Sequence, residues 1–154
     1  MRFNIQRNME KPAFITGGMH HDHRGTISFI NDFHLNDVKR LYAIEPAAPS
    51  VVRAWQGHKE EQKWFYAVAG SFKVVVVKID DWNTPSAQPD IFQFDLSASN
   101  PEILRIPGGY ANGFMAMEEN SKIIIFSDFT VQQSMNDEHR FDQDLWFDWK
   151  SLTK

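Results

Sequence analysis

Short runs rich in β-branched and aromatic residues follow one another along this chain, with no sustained helical period before the C-terminal tail. Thr26–Phe33 and Val38–Ile44 read as a first pair of strands, ended by the break EPAAPS. Val51–Gly57 and Trp64–Ala69 come next, then Ser71–Asp80 with its uninterrupted Val74–Val77. Asp81–Asp90 is a loop carrying two prolines among small polar residues. Ile91–Leu96, Ile103–Ile106, Gly113–Met117 and Lys122–Phe129 complete the set. Strands at regular spacing, divided by turns, predict an all-β sandwich or barrel and not alternating β–α units. Glycine-containing turns at Ala69–Ser71 and Pro107–Gly109 sit where a barrel has to bend sharply. The amphipathic tail Asn136–Ser151 is expected to supply a short helix packed on the barrel.

With 154 residues and no linker or internal repeat, the expectation is a single domain over residues 1–154, closing one core. A net charge of −4 without any basic block argues against nucleic acid as a partner. There is no cysteine, which excludes disulfides, thiolate metal sites and cysteine nucleophiles. The N-terminal residues lack the apolar run of a signal peptide, and the apolar runs are strand-sized. A cytoplasmic protein with no membrane partner is expected.

Arg53–Gly70, RAWQGHKEEQKWFYAVAG, carries the most specific signal. It keeps the spacing of a metal-binding cupin motif, but Gln56, His58 and Lys63 stand at the positions of His, His and Glu, ahead of Gly70. Ile106–Phe114, IPGGYANGF, keeps the second half of that motif with Asn112 in place of its histidine. Side chains alternate along a strand, so Gln56 and His58 point the same way. Gln56 and Asn112 can hydrogen-bond but cannot move a proton at neutral pH, whereas His58 can. A divalent cation needs imidazole or anionic ligands, and an ammonium among them would repel it, so no metal and no other cofactor is expected. Arg53 has the opposite parity to Gln56 and needs a bulge to aim inward. His20, His21, Asp22 and His23 are adjacent on an extended chain, cannot all converge on one ion, and read as a solvated turn.

At these residues the chain resembles the sugar-nucleotide cupins, dTDP-4-dehydrorhamnose 3,5-epimerase and the dTDP-4-oxo-6-deoxyglucose 3,4-ketoisomerases, from about Asp22 to Asp144. Asp22-His23-Arg24-Gly25 is similar to the epimerase Asp-x-Arg-Gly, and Val38–Ile44 to a ketoisomerase strand. Arg53–Lys59 overlays the reactive strand of both, Gln62-Lys63 the segment of the epimerase's active-site lysine, and Ser127-Asp128-Phe129 resembles the Thr/Ser-Asp-Tyr that follows the second half-site. The resemblance implies a cupin-type double-stranded β-helix, a jelly-roll barrel. It also implies a homodimer, with Arg24 reaching the nucleotide partly across the interface. The departures fall on the chemistry: the base histidine of both reactions maps to Gln56, and the epimerase tyrosine has no counterpart in Ile123–Phe126.

The expectation is therefore a metal-independent epimerase or isomerase of a dTDP-4-keto-6-deoxyhexose, serving deoxysugar or polysaccharide synthesis. His58 is the expected base, Lys63 the group that stabilises the enolate, and Tyr42 or Tyr110 the acid. Arg24, Arg53, Gln56 and Asn112 are the expected substrate contacts. Two alternatives stay open: a barrel that binds a sugar or sugar nucleotide without turning it over, and an assembly role through the Trp146/Trp149 tail.

Overall fold

The computed structural model describes residues 10–153. Its strands form two antiparallel five-stranded sheets facing each other, and a separate two-stranded ribbon. The first sheet runs β1 (Ala13–Thr16), β9 (Glu102–Ile106), β6 (Lys63–Ala69), β11 (Lys122–Ser127), β4 (Arg40–Ile44). The second runs β12 (His139–Arg140), β5 (Val52–His58), β10 (Tyr110–Ala116), β7 (Ser71–Lys78), β8 (Ile91–Ser97). The ribbon pairs β2 (Gly18–Asp22) with β3 (Gly25–Phe29). This is the jelly-roll barrel expected of a cupin, and among the described residues no helix is long and apolar enough to cross a membrane.

The unbroken Val74–Val77 run has a direct explanation. All four valines are fully buried, because β7 has a covered face on each side. Val74 and Val76 point between the sheets, against Phe65, Leu104 and Ile125. Val75 and Val77 point outward into a second cluster with Trp55, Ala111 and Trp149. The cover of that outer face is the C-terminal tail, pinned where Trp55 Nε1 donates to Leu145 O (3.0 Å) and Trp146 Nε1 to Ser86 O (2.9 Å).

Two glycines make the sharp bends that the sequence marks. Gly70 between β6 and β7 has φ +68°, and a Cβ there would collide with Ser121; Gly109 before β10 has φ +98°. Other boundaries differ from the sequence reading. The segment Tyr110–Gly113, whose Asn and Gly look turn-like, belongs to β10, a central strand between β5 and β7 that is buried throughout. Pairing on both edges overrides the local preference. The C-terminal helix comes in two pieces: α1 (Val131–Met135), capped by Thr130, and a 3-10 turn at Trp149–Thr153. The strand β12 lies between them on the edge of β5.

The connection from α1 to β12 is locked by one buried carboxylate. Asp137 accepts from the backbone N–H groups of Lys59 and Glu60 (2.9 Å each) and Glu61 (2.8 Å). Its own carbonyl accepts from His58 Nδ1 at 2.9 Å. The β5–β6 turn and the strap that carries β12 are thereby one unit. Asp137→Ala strands three N–H groups in a buried turn, and is expected to lower unfolding free energy by about 3 kcal/mol in urea titrations.

Candidate active site

A cavity of about 410 Å³ opens at one end of the barrel, between the two sheets. That is within the range of small-molecule sites. Its floor is apolar, with Ile44, Phe65, Phe114 and Ile125, and its upper walls carry the polar groups. Tyr42 and Lys63 come from β4 and β6 of the first sheet; Arg53, Gln56 and Asn112 come from β5 and β10 of the second. Arg140 on β12 closes the rim.

Arg53 reaches the cavity through an irregularity in the β5–β10 ladder. Asn112 pairs with Gln56, but Phe114, two residues on, pairs with Arg53, so β5 spends an extra residue there. The bulge cancels the parity conflict and puts Arg53 and Gln56 on one face.

Lys63 is 3% exposed, and its ammonium spans the two walls. Nζ donates to Tyr42 Oη and to Gln56 Oε1, both at 3.1 Å. Gln56 in turn donates through Nε2 to Glu138 at 2.7 Å, and Arg140 donates to the same carboxylate oxygen at 2.5 Å. The Gln56 bond is the main reason the Glu138 carboxyl sits below its ordinary range, with the Arg140 charge adding to it. Asn112 makes a long 3.4 Å contact to Gln56 O. Three cations, Arg53, Lys63 and Arg140, thus surround a cavity whose floor is apolar.

Not every residue singled out in the sequence meets here. His58 lies on the inward face beyond Gln56 but does not line the cavity; it is 3% exposed. Its Nδ1 is held by the Asp137 carbonyl, which assigns the proton to that nitrogen, and Nε2 is buried with no hydrogen-bond partner. Burial, and next the Lys63 charge, push its pKa down to about 4 against the pull of Glu61. The imidazole is neutral at physiological pH. Tyr110 packs in the core, and its hydroxyl donates to Glu10 O at 2.9 Å, away from the cavity. Arg24 lies on the ribbon turn, paired with Asp22 at 2.7 Å and exposed. His20 and His21 are exposed on β2. Among the described residues no group of three or more His, Asp or Glu is arranged to hold a metal.

Sequence reasoning missed Arg140, Glu138, Glu61 and Arg40. Arg40 had a signal: two residues before Tyr42 on one strand, it shares that side chain's face. Glu61 carries no local mark of burial, and Arg140 arrives through a long-range pairing with no local mark. A larger cleft of about 740 Å³ lies on the outer side of the first sheet. Three of its polar side chains already bind one another, Gln62 holding both Arg105 and Asp128. The barrel mouth is the better candidate.

The fold and the cavity define a cupin-type barrel with cationic side chains around its cavity. No protein-family model matches the chain. A spore coat polysaccharide biosynthesis protein of Bacillus subtilis is 27% identical over 108 residues, covering 67% of this chain and 70% of that one. A probable low-salt glycan biosynthesis epimerase of Haloferax volcanii is 31% identical over 77 residues, 50% of this chain and 49% of that one. The crystal structure of a dTDP sugar isomerase from Desulfovibrio desulfuricans superposes with a TM-score of 0.75 at 20% identity, covering 93% of both chains. Sugar epimerases and 3,4-ketoisomerases share the same fold. Sequence and structural similarity thus agree with the resemblance carried by the motifs, to the sugar-nucleotide epimerases and ketoisomerases.

Burial of neutral His58 makes stability pH-dependent. The folded-state pKa lies below the ordinary 6.5, so the unfolded chain protonates first as pH falls. Stability is full above pH 6.5, declines down to about pH 4, and is flat with respect to this group below that. The loss is about 3 kcal/mol. His58→Gln is expected to abolish this part of the acid slope in denaturant midpoints measured across the interval.

Proposed function

We propose that the protein is a metal-independent sugar-nucleotide epimerase or isomerase acting on a dTDP-4-keto-6-deoxyhexose in polysaccharide or deoxysugar synthesis. The observation that carries this reading is the Tyr42–Lys63 pair at 3.1 Å, half-buried at the wall of a sugar-sized cavity in a fold shared with such enzymes. Both reactions take a proton from the carbon beside a keto group and return one. In this reading Tyr42 Oη, which accepts from the Lys63 ammonium, is the transfer group. It takes the proton in its ionised form, becomes the phenol, and gives the same proton to the neighbouring carbon. The Lys63 ammonium uses two donors on Tyr42 and Gln56, which leaves a third N–H for the ligand's keto oxygen. That contact strengthens as the oxygen gains charge, so it lowers the barrier instead of tightening ground-state binding. Arg53 and Arg140 at the mouth suit the diphosphate. Gln56 and Asn112 suit ring hydroxyls.

The placement of the proton-active groups favours isomerisation over epimerisation. Tyr42 and Lys63 both belong to the first sheet, while the polar groups that the second offers the cavity are two amides and the guanidinium groups of Arg53 and Arg140. Inversion at carbon requires proton removal on one face and return on the other. A single active wall fits removal and return on the same face, as a shift of the keto group from carbon 4 to carbon 3 allows. The base histidine on the opposite wall has become Gln56, and His58 is screened from the cavity.

A binding barrel remains the second reading, because the Gln56 amide, bonded to Lys63 and Glu138, can hold a ligand but cannot act as a base. The two-stranded ribbon belongs to neither sheet and exposes Met19 and Ile27 beside Arg24, which fits a homodimer that brings Arg24 to a partner's site.

Incubation with dTDP-4-oxo-6-deoxyglucose in heavy water is expected to place deuterium on the sugar ring without inversion at carbon 5. Lys63→Met and Tyr42→Phe should each slow the exchange by about 10²–10⁴-fold. Thermal stabilisation by the sugar nucleotide with no exchange would establish the binding barrel instead.

A further inference from the structure

Behind the cavity wall lies a carboxylate that no motif accounts for. Glu61 is 1% exposed. Its Oε2 accepts from Ser127 Oγ at 2.7 Å, and lies 3.5 Å from Arg40 Nη2 and 4.0 Å from Lys63 Nζ. Its Oε1 is 3.4 Å from His58 Nδ1 but has no hydrogen-bond partner, since that N–H is spent on the Asp137 carbonyl.

A buried carboxylate is costly unless it is matched by charge and hydrogen bonds. The match here is lopsided. Ser127 and Arg40 anchor Glu61 from the side away from the cavity, and Arg40 is itself fixed through Nε to Phe129 O at 3.1 Å. Neither lines the cavity; among the groups around the carboxylate, Lys63 alone does. Two cations share one anion, so the cluster carries excess positive charge, and Lys63 presents it to the cavity. An ammonium on a flexible four-carbon stem needs such a fixed point if its donors are to keep one direction.

We propose that Glu61 is the positioning residue of this site, a rigidly anchored counter-charge that holds the Lys63 ammonium against Tyr42 and aims its remaining N–H at the ligand. The inference rests on the proton-transfer reading for its catalytic consequence, but the placement of Lys63 is a property of the free protein. Glu61 touches no ligand. It acts through Lys63, and that dependence separates it from a residue that only fills the barrel end.

The test compares Glu61→Gln, Glu61→Asp, Lys63→Met and the Glu61→Gln/Lys63→Met double variant. Two readings are taken: deuterium exchange kinetics on dTDP-4-oxo-6-deoxyglucose, and the rate at which an amine-acylating reagent labels Lys63, followed by mass spectrometry. Glu61→Gln is expected to lower kcat by about 10²-fold, the scale of a misplaced catalytic group, with KM changed far less. Glu61→Asp should recover part of that loss. In the Lys63→Met background, Glu61→Gln should cost nothing further, as residues acting through one another do not add. Lys63 should label about tenfold faster once released from its anchor. Unchanged kcat and unchanged labelling in Glu61→Gln would overturn the proposal, and so would full additivity in the double variant. If the parent exchanges no deuterium, the proton-transfer reading falls, and the labelling rates alone decide for or against Glu61. If Glu61→Gln does not fold, Glu61→Asp carries the same two comparisons.

Discussion

A single buried ammonium joins the two sheets at the open end of this barrel. Lys63 stands on the first sheet, bonds to Tyr42 beside it, and crosses the cavity to Gln56 on the second. Burying that charge requires a partner, and Glu61 behind it provides one. The Gln56 amide passes the connection to Glu138 and so to the strap that brings Arg140 to the rim. Without Lys63 the Gln56 oxygen loses its donor, Glu61 keeps Arg40 as its remaining cation, and the cavity loses a buried charge.

The strap depends on a different interaction of the same kind. Asp137 gathers three backbone N–H groups of the β5–β6 turn, so the turn that positions Lys63 and the segment that positions Arg140 cannot move independently. His58 is drawn into this joint through its bond to the Asp137 carbonyl. The side chain that looked like a relocated base is thus part of the structural connection between strand and strap. Its depressed pKa follows from that buried position, and from the nearby Lys63 charge.

Much of the barrel was legible in the sequence, because strand runs, turn glycines and the Val74–Val77 block report local geometry and burial directly. The inner wall was legible where residues share one strand, as Gln56 and Lys63 do with their half-site frames. Arg53 needed the bulge between Asn112 and Phe114, which cannot be located without the partner strand. Arg140 and Glu138 reach the rim through the pairing of β12 with β5, more than eighty residues apart in some contacts (Gln56 to Glu138 is |i−j| = 82), and no local pattern marks such a pairing. Glu61 was hidden for another reason: a Glu-Glu pair beside a turn is ordinarily solvated, and only the arrival of Arg40, Ser127 and Lys63 around it makes its burial tolerable.

The exchange of histidine for Gln56 then has a consequence for the whole site. An amide can occupy the same wall, bond the same ligand hydroxyls and brace Lys63, but it cannot carry a proton. On the function proposed above, the second sheet contributes binding groups, Gln56, Asn112 and Arg53, and no group that carries a proton. The first sheet retains Tyr42 and Lys63 with their buried counter-charge. A barrel with reactive groups on both walls can take a proton from one face of a sugar ring and return it to the other. On the function proposed above, one reactive wall confines proton transfer to one face, which suits migration of a carbonyl along the ring without inversion at a distant carbon.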